Sequence, residues 1–267
     1  MSTIVFSHAN SFPASTYKVL FKSLRARGYT VKAVEKFGHD ARYPVTDNWP
    51  HVVQQLLDFT QAIVEKSGEP VWLVGHSLGG FLSLMAAARQ PALAKGVLLI
   101  DSPILGGWRS RALGMMKTTQ MVGSLSPGSV SRKRRNSWPD VEAAFEHFRH
   151  KRAFAKWEEP VLRDYVTDGT LEQDGKRVLA FDRGIETQFY NTLPDNLDQL
   201  LARHPLKCPV SFIGGHDSAE MRQVGMGMTE KVTRGRIMML DGSHLFPMEK
   251  SLATAAAIEA SLRNMAQ

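Results

Sequence analysis

Gly75-His76-Ser77-Leu78-Gly79-Gly80 stands between Pro70-Val71-Trp72-Leu73-Val74 and Phe81-Leu82-Ser83-Leu84-Met85-Ala86-Ala87-Ala88. The first flank is a short continuous apolar run, which predicts a parallel strand buried on both faces. The second is rich in helix formers. A G-x-S-x-G at such a strand-to-helix corner holds its serine in a strained backbone conformation and lifts the hydroxyl above the end of the sheet. Gly75 and Gly79 suit the corner because strand and helix pass too close there for a Cβ.

Working outward, apolar strands and amphipathic helices alternate. Strands are expected at residues 4–7, 29–34, 96–101, 208–214 and 236–240. Helices are expected at 17–27, closed by Gly28, at 49–67, with Pro50 in its first turn and Gly68 beyond it, and at 252–265. Strands separated by helices imply a parallel sheet with both faces covered. The alternation breaks between Ser102 and about Leu200. There Ser137-Trp138-Pro139-Asp140 reads as a helix start with a capping box, followed by an apolar stripe of Val141, Ala144, Phe145 and Phe148. The stretch from Thr170 to Leu179 reads as a hairpin with Asp174-Gly175 at its turn.

Three motifs, Ser7-His8-Ala9-Asn10, the corner at Ser77, and Gly242-Ser243-His244, together resemble the α/β-hydrolase superfamily, and the resemblance runs almost end to end. It implies the α/β fold class: an α/β-hydrolase core from residues 1–103 and 200–267, with an inserted, mainly helical cap over 104–199. Family members usually carry an antiparallel strand pair before the first of these motifs. Only three residues precede Ile4, so a shortened, mostly parallel sheet of about six strands is expected.

The resemblance makes Ser77 a nucleophile on an elbow, and a free hydroxyl needs a base. His244, after the last strand, is the first choice; His216 is the rival, and His76 leaves the elbow in another direction. The superfamily order Ser, acid, His then points to Asp217, which ends a strand in Gly214-Gly215-His216-Asp217; Asp101, at the end of the preceding strand, is the alternative. The oxyanion hole takes the backbone N–H of Leu78 and that of Asn10, with Ser11 as a further option. Ala9 stands where the family usually has glycine. His8 reads as structural.

The 267 residues suit one α/β domain with an insertion, and 43% apolar content is ordinary for a chain that buries a core. The single cysteine, Cys208, excludes a disulfide framework and reads as a core residue at a strand start. No signal peptide and no apolar run of transmembrane length is visible, so the cytoplasm and no membrane association are expected. The net charge is +7, and residues 104–191 hold 15 Lys/Arg against 11 Asp/Glu. Arg132-Lys133-Arg134-Arg135, the strongest charge run, reads as a solvated turn; with no interleaved aromatics, no nucleic-acid partner is expected. Carboxylates lack metal-ligand spacing and no dinucleotide or phosphate fingerprint occurs, so neither metal nor organic cofactor is expected.

The reading that results is a serine hydrolase cleaving a small to medium apolar carboxylic ester through an acyl-enzyme. Trp108, Phe145 and Phe148 are the candidate substrate contacts, among cap residues that also include Met115, Met116, Trp138 and Trp157. The same triad would serve carbon–carbon cleavage of a β-diketone, or thioester or lactone hydrolysis. A binding protein retaining the fold is the non-enzyme alternative.

Overall fold

The structure is a computed structural model that describes residues 2–107, 110, 112, 113, 115 and 128–267. Trp108 and Met116 lie outside them. Six strands form the main sheet: β1 (Thr3–Ser7), β2 (Thr30–Ala33), β3 (Val71–His76), β4 (Ala94–Ile100), β8 (Val210–Gly215) and β9 (Ile237–Leu240). Their order is β2-β1-β3-β4-β8-β9, and every pairing is parallel. The six strands match the shortened sheet expected from the sequence.

Helices α1 (Lys18–Ala26), α2 (Pro50–Ser67), α3 (Leu78–Arg89) and α12 (Ser251–Met265) cover the two faces. Ile4, Phe6, Val74, Leu98 and Ile100 bury one side of the sheet against α1 and α12. Val5, Leu73, Val97, Leu99 and Phe212 bury the other, with α2 and α3 packed over it. Both faces are therefore dry, and β3 is buried at all six positions, as its continuous apolar run requires.

The segment between β4 and β8 carries α4 (Gly128–Lys133), β5 (Ser137–Trp138), α5 (Val141–Arg149), α6 (Glu159–Asp168), β6 (Thr170–Gln173), β7 (Lys176–Leu179), α7 (Arg183–Asn191) and α8 (Leu197–Arg203). Its three strands make a separate antiparallel sheet, β5-β7-β6. The hairpin falls where the sequence puts it: Asp174 and Gly175 both take positive φ at the turn between β6 and β7. One local expectation is corrected. Ser137 and Trp138 form a strand, and the helix starts later, capped by Asp140, whose carboxylate accepts the Ala143 N–H at 2.7 Å.

After β8 come α9 (Ala219–Val224) and α10 (Gly227–Thr233); after β9 come α11 (Phe246–Glu249) and then α12. The C-terminal ends of β1, β3, β4 and β9 thus place Ser7-His8, Ser77, Asp101 and His244 at one edge of the sheet, outside the carboxyl ends of its strands.

Candidate active site

Ser77 joins β3 directly to α3 with φ 53° and ψ −117°. A non-glycine residue there costs about 1–3 kcal/mol, which the surrounding packing must offset. The corner is as tight as the sequence implies. A Cβ on Gly79 would lie 2.0 Å from the Ser7 carbonyl oxygen, and one on Gly75 would lie 2.1 Å from the Gly79 backbone.

The Ser77 hydroxyl lies 2.9 Å from His244 Nε2, and His244 Nδ1 lies 2.6 Å from Asp101 Oδ2. The carboxylate on His244 is therefore that of Asp101, the alternative, and not that of Asp217. Asp217 is 62% exposed and pairs instead with Lys156 Nζ at 3.1 Å. Two features aim Asp101 at the imidazole: a positive φ of 45° at the end of β4, and full burial. Its carboxylate also accepts the Gly215 N–H at 2.9 Å and the Ser218 hydroxyl at 2.6 Å. Burial would raise the Asp101 pKa, and these hydrogen bonds with His244 hold it below the usual value. For His244 burial opposes the charged ring, but the Asp101 hydrogen bond and the nearby Glu220 and Asp101 charges outweigh it and raise the pKa. Glu220 Oε2 stands 3.8 Å from Nδ1.

The other two histidines at this edge are buried and structural. His8 Nδ1 lies 2.8 Å from the Ala9 carbonyl, so that nitrogen carries the hydrogen; Nε2 accepts the Phe37 N–H at 3.0 Å. His76 Nε2 lies 2.9 Å from the His244 carbonyl and donates to it, while Nδ1 meets the Tyr17 hydroxyl at 2.8 Å. Tyr17 in turn accepts the Ala9 N–H at 3.1 Å. Both rings are held neutral, chiefly by burial, with pKa values lowered to about 4 for His8 and about 3 for His76. The chain Ala9–Tyr17–His76–His244 ties the loop after β1 to the loop carrying His244. Neither ring can serve as a base at neutral pH. His216, the rival base, is exposed, and it is not among the described residues that line the cavity at Ser77.

The loop after β1 resolves the question of Ala9. Ala9 itself has no positive φ; Ser11 takes the left-handed turn at φ 78°. The Ala9 N–H is used by Tyr17 and the Phe12 N–H by the Ala9 carbonyl, which leaves Asn10 and Ser11 with N–H groups to offer. Leu78 is the first residue of α3, where the N–H has no partner within the helix.

A cavity of about 400 Å³ opens on Ser77, His244, Asn10 and Leu78. Its apolar wall is Phe12, Trp49, Phe81, Phe189, Leu193 and Leu245. Tyr190, whose hydroxyl burial pushes up to about 12, and Glu220 add polar points. Phe145 and Phe148 do not line it. They are buried in the core cluster that the segment between β4 and β8 shares with one face of the sheet, where Phe148 packs tilted against Trp138 and Phe154 and edge-on against Tyr165. The expectation for these two is corrected for this cavity, since an amphipathic stripe shows which face is buried and not what it is buried against; Phe148 lines a separate cleft instead. No sequence signal singled out Trp49, Phe81 or Phe189. Cys208 is half-buried and its thiol is pushed up to about 11 by burial, so it supplies no nucleophile. The one group among the described residues with metal-like spacing is Asp101, Glu220 and His244. An ion there would compete with the His244–Asp101 hydrogen bond.

A sequence model of the alpha/beta hydrolase family matches residues 4–257, and the chain belongs to that family. A serine hydrolase-like protein of Dictyostelium discoideum is 22% identical over 265 residues, covering 90% of this chain and 69% of that protein. The monoglyceride lipase of Rattus norvegicus is 27% identical over 128 residues, covering 46% of this chain and 42% of the lipase. Among solved structures, a thioesterase domain from the curacin biosynthetic pathway superposes with a TM-score of 0.74 at 20% identity, covering 97% of this chain and 91% of that domain. The protein is a hydrolase by family.

Proposed function

We propose that this hydrolase is a serine-dependent carboxylesterase acting on small to medium apolar acyl esters. The observation that carries the reading is the continuous line from Asp101 through His244 to the Ser77 hydroxyl, ending at the mouth of an apolar cavity. His244 takes the Ser77 proton as Ser77 Oγ attacks the ester carbonyl. Asp101 holds the ring so that Nε2 faces the serine, and stabilises the imidazolium that forms. The Leu78 and Asn10 N–H groups receive the developing oxyanion. The imidazolium returns its proton to the departing alkoxide. Water, deprotonated by the same nitrogen, then releases the acid from Ser77. The names of the Dictyostelium and rat relatives agree with this reaction class.

Residues 104–199 act as a cap in this reading. Ala153, Phe189, Tyr190 and Leu193 from that segment close the cavity over the sheet edge. Each methylene of an acyl chain buried against this wall contributes about 0.8 kcal/mol, or up to roughly fourfold in kcat/KM while the chain still fits. The test is a fluorophosphonate probe with a p-nitrophenyl ester series from acetate to dodecanoate. Ser77 is expected to be labelled stoichiometrically, Ser77→Ala to lose labelling and turnover, and activity to peak at an intermediate chain. Labelling that survives Ser77→Ala, or feeble ester turnover beside fast cleavage of a β-diketone, overturns the esterase assignment.

A further inference from the structure

Three members of the basic run Arg132-Lys133-Arg134-Arg135 line one cleft, but they are not equally free. Arg134 turns inward, where its guanidinium lies 2.8 Å from Glu186 Oε2 and donates to the Ser11 hydroxyl at 2.7 Å. With Arg134 spent on these partners, Lys133 and Arg135 are left beside it in a cleft of about 800 Å³ on the segment between β4 and β8. Lys151 and His147 close its far side. Among the described residues no carboxylate lines this cleft. Lys133 and Lys151 have no acidic partner among the described residues. The Arg135 guanidinium spends only its Nε hydrogen, on the Ser137 carbonyl at 2.9 Å, and packs over the Trp138 ring. Burial lowers the His147 pKa, and the Lys151 and Arg135 charges lower it further, so several cations bear on one spot. Ala153 lines both this cleft and the cavity that opens on Ser77.

We infer that this cleft is an anion subsite for the substrate of the neighbouring serine: it binds a phosphate-class group on the part of the substrate that projects from the apolar cavity. The inference rests on the esterase reading for the reaction, but not for binding. Three uncompensated cations in a concavity favour a multiply charged group over a lone carboxylate. The concave form favours a small molecule over a lipid surface.

The test compares two butyryl thioesters with the same acyl group, one of N-acetylcysteamine and one of coenzyme A, whose leaving thiol carries phosphates. The wild type is expected to show about tenfold or higher kcat/KM for the phosphate-bearing thioester, through KM, with the advantage shrinking as salt rises. The variant Lys133→Ser/Arg135→Ser/Lys151→Ser, which spares the ion-paired Arg134, should lose that advantage. It should keep its rate on the neutral thioester and on p-nitrophenyl butyrate. Calorimetric titration with pyrophosphate should give salt-sensitive binding that the variant lacks. Equal KM for the two thioesters, or an advantage that survives in the variant, overturns the subsite. If no ester or thioester is turned over, the esterase reading has failed, and pyrophosphate binding alone decides the cleft. Absent pyrophosphate binding beside retention on phosphatidylglycerol vesicles would make the cleft a membrane contact and also overturn the inference.

Discussion

Asp101 accepts hydrogen bonds from His244 Nδ1, the Ser218 hydroxyl and the Gly215 N–H, while Asp217 faces solvent beside Lys156. Exchanging one carboxylate oxygen for an amide at each site therefore has unequal consequences. Asp101→Asn is expected to lower kcat by roughly 10³–10⁴, because an amide no longer fixes the productive tautomer. Asp217→Asn is expected to change it less than about twofold, since surface substitutions act weakly. Steady-state kinetics on one p-nitrophenyl ester ranks the pair, and the reverse ranking would return the role to Asp217. The strand-end pattern before Asp217 drew the sequence reading there, because strand order is invisible in sequence. Only the parallel pairing of β4 with β8 shows that Asp101 and Gly215 share one corner. Ser77 and His244 are legible because one stands at the end of an apolar strand and the other a short loop beyond one. Glu220 gave no signal, since a carboxylate on a short helix after β8 looks like any solvated acid. Its effect is nonetheless measurable. His244 must be neutral to accept the Ser77 proton, and its pKa lies above the ordinary histidine value. Activity should thus fall with decreasing pH through a midpoint above about 6.5. Glu220→Gln removes a nearby negative charge, so that midpoint should move to lower pH in a kcat/KM profile. A midpoint that stays put would show that Glu220 does not act on the base.

Among elements, the loop after β1 and helix α7 depend on each other through Arg134. Asn10 Nδ2 donates to the Glu186 carbonyl at 3.1 Å, and the Glu186 carboxylate takes the Ser131 hydroxyl at 3.0 Å and forms an ion pair with the Arg134 guanidinium 2.8 Å away. Burial raises the Glu186 pKa, and Arg134 is the largest opposing influence. Removing Arg134 leaves a carboxylate buried without its counterion and frees the left-handed Ser11 turn. Arg134→Ala is expected to destabilise the fold by about 3 kcal/mol, the scale of breaking one side of a buried pair. It should also lower kcat, because the Asn10 N–H loses its support. Glu186→Gln, which retains size and hydrogen bonding, should cost less in both. Urea unfolding and ester kinetics on the two variants test this; an Arg134→Ala protein of wild-type stability would dismiss the coupling. This link was hidden in the sequence, where Arg134 is one of four consecutive cations. The sheet and its covering helices were readable from apolar runs and their stop signals, whereas the insertion was readable only as local pieces: its hairpin and its α5 stripe. What those pieces pack against depends on contacts between residues far apart in the chain, such as Arg134 and Ser11.

For the molecule as a whole, the two buried neutral histidines set its tolerance of acid. His8 and His76 are fully buried, and each spends one ring nitrogen as donor and the other as acceptor. A proton added to either would set an N–H against the Phe37 N–H or displace the Tyr17 hydroxyl hydrogen from His76 Nδ1. Their folded pKa values, about 4 and about 3, lie below the roughly 6.5 of an unfolded histidine. Between those limits the unfolded chain binds more protons than the folded one, so stability falls as pH falls. The contribution is fully present above about pH 6.5 and shrinks below it, by about 1.4 kcal/mol per pH unit for each ring. Asp101, with its lowered pKa, acts in the same direction at more acidic pH, whereas His244, with its raised pKa, adds stability only as pH falls toward about 6.5 and contributes no further change below it. With total stabilities of about 5–15 kcal/mol for a typical domain, the chain is expected to unfold cooperatively at room temperature near pH 4. Its Tm should be nearly flat from pH 8 to 7 and drop steeply from 6 to 4.5, followed by circular dichroism. His8→Gln removes one titrating ring while keeping a side-chain acceptor for the Phe37 N–H. That variant should melt at lower temperature at pH 7.5 and show a shallower fall toward pH 4.5. A Tm that declines equally in both proteins would assign the acid sensitivity to other groups.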